Sequence, residues 1–213
     1  MLLTSTSYLG PVQLYAHLYA ADSIMEDRHE HFVKQTYRNR CYIATPTGAQ
    51  PLTIPIVRDG ASHTATREVR ISDHGNWRHL HWTAIASAYE SSPYFEYYAD
   101  DFRPLFEKPF DFLVDFNEAL QHTVLSLLSI DKPITQTPHY MMPEELTADT
   151  LDARMLISPK VPLEADSAFH TVPYYQVFDT RTGFIPNLSI IDLLFNLGPE
   201  SRMVLKKCNS NTF

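Results

Sequence analysis

The first 25 residues switch between two periodicities, and that switch constrains the fold more than any other feature. Residues 2–6 read as a short strand, after which Val12, Tyr15, Leu18 and Tyr19 recur at helical spacing behind Pro11, a residue suited to a first helical turn. Asp22 closes that helix, and Ser23, Ile24 and Met25 read as a second strand. Strand, helix, strand, followed by more strands and then helices, implies an α/β or α+β sandwich with a Rossmann-like opening.

Further strands are predicted at 37–45, 52–57 and 68–72. Pro46-Thr47-Gly48 supplies turn chemistry between the first two. Pro55 lacks a ladder donor, so its strand belongs at an edge or a bulge. The middle third is helical. Trp77, Leu80, Ala84, Ile85 and Ala88 mark one stripe, with Asn76 as a candidate N-cap. Tyr94, Phe95, Tyr98 and Phe102 mark a second, which Pro104 bends or ends. Leu113, Phe116, Leu120, Val124 and Leu127 mark a third between about 109 and 130. Residues 139–172 are Pro-rich and aperiodic, an extended segment within a single domain spanning 1–213. A strand at 174–178 and a helix at 189–197, stopped by Gly198-Pro199, complete the reading.

Residues 32–43 place Lys34, Arg38 and Arg40 beside Asn39 without an intervening acid. On a strand, Lys34, Thr36, Arg38 and Arg40 share a face. A guanidinium held on a rigid element receives phosphate or carboxylate well.

The remaining chain is acidic: 17 basic against 25 acidic residues among 213, a net charge of −8. That balance argues against a broad nucleic-acid footprint and favours a local pocket for a small anion. No stretch of roughly 18 apolar residues is present to span a membrane, and the N-terminal residues lack the basic start of a signal peptide. Cys41 and Cys208 form no ligand or redox motif. The expectation is a cytoplasmic chain.

These segments carry a resemblance. Residues 8–22, 34–43, Gln50-Pro51-Leu52-Thr53-Ile54-Pro55, Trp77 to Trp82, 89–98 and Gly183-Phe184-Ile185-Pro186-Asn187-Leu188 through Phe195 resemble the WbqC-like protein family. The resemblance implies a place in bacterial surface-polysaccharide biosynthesis, modifying amino sugars by acyl or aminoacyl transfer. The family's opening strand ends in His-Gln-Pro, where this chain has Thr4-Ser5-Thr6-Ser7. A missing histidine at the carboxyl end of a first strand implies a divergent or non-catalytic branch.

Two readings follow. In the first the chain is a transferase acting on a nucleotide-linked amino sugar. Lys34, Arg38 and Arg40 neutralise the anion, Asn39 orients it, Tyr8, Trp77 and Asn187 complete the binding site, and His81 or Tyr89 carries the proton. In the second it is a ligand-binding or scaffold protein of the same pathway. Each residue also has a structural explanation. Arg38 and Arg40 can pair with Glu26, Asp27 or Glu30, and Tyr37 and Trp77 can be core or cleft wall. Ser189 and Asp192 can form a capping box. His29 and His31 sit two apart, as do His79 and His81; on a helix the second pair diverges, so no metal site is assigned. No cofactor motif occurs.

Overall fold

The computed structural model describes residues 1–57 and 63–209. Strand β1 (Leu2–Thr4) is buried at all three positions, as expected of a strand with neighbours on both edges and cover on both faces. The chain then turns tightly through Gly10, where a Cβ would stand 2.7 Å from Ser7 Oγ, into helix α1 (Val12–Ala20). Helix α1 returns to β2 (Ile24–Glu26), which pairs with β1 in parallel. The β-α-β opening therefore follows the sequence closely.

Residues 34–39 depart from it. They are turns, with Gln35 left-handed at φ 59° and Thr36 Oγ1 donating to the Val33 carbonyl. Strand β3 begins only at Arg40 (Arg40–Thr45), so Lys34, Arg38 and Arg40 do not share a strand face. A two-residue Pro46-Thr47 turn leads to β4 (Gly48–Thr53), the antiparallel partner of β3. Gly48 has φ 118°, which a side chain would strain. Pro51 lies within β4, at an edge that tolerates a missing donor, and Pro55 falls beyond the strand. Residues 68–72 form no strand; a 3₁₀ turn at Thr66–Glu68 leads to isolated bridges at Arg70 and Ile71.

The middle third is helical: α2 (Trp77–Tyr89), α3 (Phe95–Glu107) and α4 (Leu113–Leu127). Asn76 is left-handed, at φ 48°, and its side chain caps nothing. Pro104 lies inside α3, which continues past it.

Strand β5 (Ile134–Gln136) pairs with β2, and β6 (Leu151–Asp152) with β1, giving a parallel four-stranded sheet in the order β5-β2-β1-β6. Part of the stretch that the sequence predicts as extended thus completes the sheet. A two-residue strand carries too little pattern to be read from periodicity. One-turn helices α5 (Ala153–Leu156) and α6 (Asp179–Thr182) follow. Residues 174–178 are irregular, not a strand.

Helix α7 (Ile190–Leu197) is buried from Ile190 to Asn196 and packs with α8 (Ser201–Cys208) against α1. Gly198, at φ 54°, lets the chain turn between them where the Tyr94 ring occupies the Cβ position. Among the described residues no helix is long and apolar enough to cross a membrane.

Candidate functional site at the carboxyl edge of the sheet

The chain builds outward from β1 to β2 and β5, then returns to place β6 on the other side of β1. Strand order reverses between β1 and β6, and in open parallel sheets ligands bind in the crevice outside the carboxyl ends at that reversal. Here the crevice is lined by Thr4, Ser5, Thr6, Ser7, Leu14, Tyr37, Arg38, Ala153 and Ile157, and its volume is about 10 Å³. That is room for one water. Ser7 Oγ is buried without a hydrogen-bond partner among the described residues.

Buried ion pairs fill the rest of the edge. Arg38 is 3% exposed and grips Glu30 with two bonds of 2.6 Å, from Nε and Nη2. Nη2 also donates to Ser5 Oγ at 2.8 Å and to the Arg154 carbonyl at 3.3 Å. Asp27 is fully buried. Its Oδ1 accepts from the His29 amide and Thr137 Oγ1, its Oδ2 from Arg154 Nη1 and the Met141 amide. Arg154 is fixed further by Asp152, at 2.9 and 2.6 Å. These carboxylates have their guanidinium partners, and the pairs hold the ends of β2 and β6 against the turn after β1. Of the cations read from the sequence, Arg38 thus takes its structural explanation, and Lys34 is exposed on a turn.

Arg40 differs. It is half-buried at the start of β3, Nε donates to Thr53 Oγ1 at 2.9 Å, and it forms no ion pair among the described residues. Tyr42 follows two positions on, on the same strand face. Tyr42 and Tyr37, edge to face with centroids 6.3 Å apart, line a groove of about 380 Å³. Its other walls are Ala49, Ser158, Pro159, residues 161–163 and residues 185–188, with Pro162 and Pro186 among them. Tyr37 borders both this groove and the crevice.

The remaining candidates lie elsewhere. Asn39 is buried, and its Nδ2 donates to the Ile54 carbonyl. The Tyr8 hydroxyl meets His81 Nδ1 at 2.9 Å, and Trp77 packs edge-on against the same imidazole. Burial pushes the His81 pKa down to about 4, against a smaller opposing effect of a hydrogen bond with the Thr53 backbone. His81 is therefore neutral at pH 7, while His79 is exposed. The Tyr89 hydroxyl accepts from the Ala44 amide and is fully buried. Neither His81 nor Tyr89 lines the groove.

Asn187 does line it, at φ 55°. Its Oδ1 accepts from the Gln13 amide at 2.9 Å, and so caps the start of α1 from a distant segment. Ser189 and Asp192 form no capping box: Ser189 Oγ donates to the Leu9 carbonyl. Asp192 is fully buried, and its Oδ2 accepts from the Tyr174 hydroxyl at 2.7 Å and Gln176 Nε2 at 2.9 Å. Burial raises its carboxyl pKa to about 6, with those bonds and Tyr89 acting the other way. Gln176 also clasps both backbone groups of Ile185, on the groove wall. Sequence reading missed Arg154 and Tyr42 as site-forming residues, and it named Asp27 only as a partner for Arg38 or Arg40, whereas Asp27 pairs with Arg154.

Fold and site together define an α/β protein with a polar, ion-paired carboxyl edge and an adjoining aromatic groove. Within that class, the chain belongs to the WbqC-like protein family, whose family model matches residues 6–158. It is similar to the Uncharacterized protein Rv1507c of Mycobacterium tuberculosis, 28% identical over 196 residues covering 83% of this chain and 84% of that one. No solved structure matches.

Proposed function

We propose that this chain binds a small anionic molecule, a nucleotide-linked amino sugar, at Arg40 and the adjoining groove, and modifies it as a cytoplasmic transferase of surface-polysaccharide biosynthesis. Arg40 is the observation that carries the reading. It is an arginine on a regular strand with its Nε fixed by Thr53 and no carboxylate partner among the described residues. Holding Nε leaves the far edge of the fork for two parallel bonds to an anion. Membership of the WbqC-like family supports the pathway. Acyl or aminoacyl transfer to the sugar amine would need a proton carrier at the groove, and His81 and Tyr89, read for that role from the sequence, lie away from it, as do Lys34, Asn39 and Trp77.

One observation favours a second reading, a ligand-binding protein without catalysis. His81 is neutral, buried and away from the groove, and a general base must reach the proton that it takes. A thermal-shift screen of nucleotide sugars, amino acids and coenzyme A tests binding. A ligand at a hundred times its Kd stabilises by about 2.7 kcal/mol, and a flat screen contradicts both readings. Mass analysis of the bound sugar after incubation with acyl and aminoacyl donors then separates them: a mass gain marks a transferase, an unchanged sugar a binding protein.

A further inference from the structure

We infer that the groove is the subsite for an uncharged sugar ring, with Tyr42 as its stacking face, and that the ligand's charge lies outside the groove at Arg40. This deepens the proposal above and rests on its reading of Arg40. The described residues that line the groove are all neutral: two tyrosines, three prolines, aliphatic side chains, Ser158 and Asn187. A phosphate buried there would lose its hydration without a countercharge. The cation lies one same-face position away on β3, roughly 7 Å along the strand.

A pyranose presents apolar C–H faces and a polar rim, and the groove offers both kinds of partner. Tyr42 is half-buried, so its ring faces both the groove and solvent, while Tyr37 supports it edge-on. At the rim, Asn187 donates one N–H to Gln13 and retains a second, together with a lone pair on Oδ1. Among the described residues, Ser158 Oγ accepts from the Lys160 amide alone, which leaves its own proton to give. An acyl chain would leave these groups unpaired on burial, whereas hydroxyls satisfy them. Three prolines in the walls reduce the entropy lost when the ligand seats.

Calorimetric titration with inorganic phosphate, an N-acetylhexosamine 1-phosphate and the uncharged N-acetylhexosamine tests the assignment on wild type, Tyr42→Phe and Tyr42→Ala. We expect the sugar phosphate to bind at least about tenfold tighter than phosphate. Tyr42→Phe should keep that gain and Tyr42→Ala should lose it, with phosphate affinity unchanged in both. Equal affinities for phosphate and sugar phosphate, or a gain indifferent to Tyr42→Ala, overturn the ring subsite and leave the Arg40 reading standing. Tyr42-dependent binding of the uncharged sugar with no binding of phosphate supports the ring subsite and overturns the Arg40 reading. Absence of binding by all three overturns both.

Discussion

The Tyr8 hydroxyl and Nδ1 of His81 share a hydrogen bond of 2.9 Å in the buried interior, joining the turn after β1 to α2. Burial holds the His81 pKa down at about 4. An unfolded histidine takes up its proton near 6.5. Between these values the unfolded state binds more protons, so stability falls as the pH drops from 6.5 to 4, by about 3 kcal/mol from this group. Imidazole resonances followed by NMR should show His81 without titration above pH 5. Titration near 6.5 would mean that the ring is open to solvent.

Asp192 works in the opposite sense. Its folded pKa, about 6, lies above the ordinary 3.8 because burial disfavours the charge. Stability from the neutral carboxyl is therefore full below 3.8 and lost as the pH rises to 6, again by about 3 kcal/mol. The two groups offset each other over one window. Asp192→Asn should remove one side of that balance, so that the variant loses stability steeply between pH 6.5 and 4. Urea denaturation across that range checks it; parallel wild-type and variant curves would contradict the assignment.

Glu30 and Arg38 form a buried bidentate pair. Removing one partner leaves an uncompensated charge. Glu30→Gln should cost about 3–5 kcal/mol, measured by chemical denaturation. A loss below about 1 kcal/mol would place the pair in solvent, as for an exposed ion pair.

Asn187 combines a left-handed backbone with a cap on α1. Asn187→Gly removes the cap and keeps the backbone at ease. Asn187→Ala removes the cap and adds roughly 1–2 kcal/mol of strain. The alanine variant should be the less stable of the two by thermal unfolding, and the reverse order would count against the left-handed requirement.

The sequence showed what periodicity encodes. Helices α1 to α4 carry long apolar stripes, and within the β-α-β opening α1 is flanked by Pro11 and Asp22. Strand β6 has two residues and no stripe. The carboxyl-edge network was unreadable for another reason: Asp27 and Arg154 meet across 127 positions, and Arg38 reaches the Arg154 carbonyl across 116. The run of cations was visible, but which cation would be paired was not. Arg38 lies eight residues from Glu30, and only the turn at Gln35 brings them together.

Arg40 decides the central claim. Calorimetric titration of wild type and Arg40→Lys with a nucleotide-linked amino sugar compares a planar fork with a point charge at the same position. Loss of one charge-assisted contact should weaken binding by about 1.5–3 kcal/mol, with the melting temperature almost unchanged. Equal affinity for the two proteins, in a variant that melts several degrees lower, would make Arg40 a structural residue and contradict the anion site.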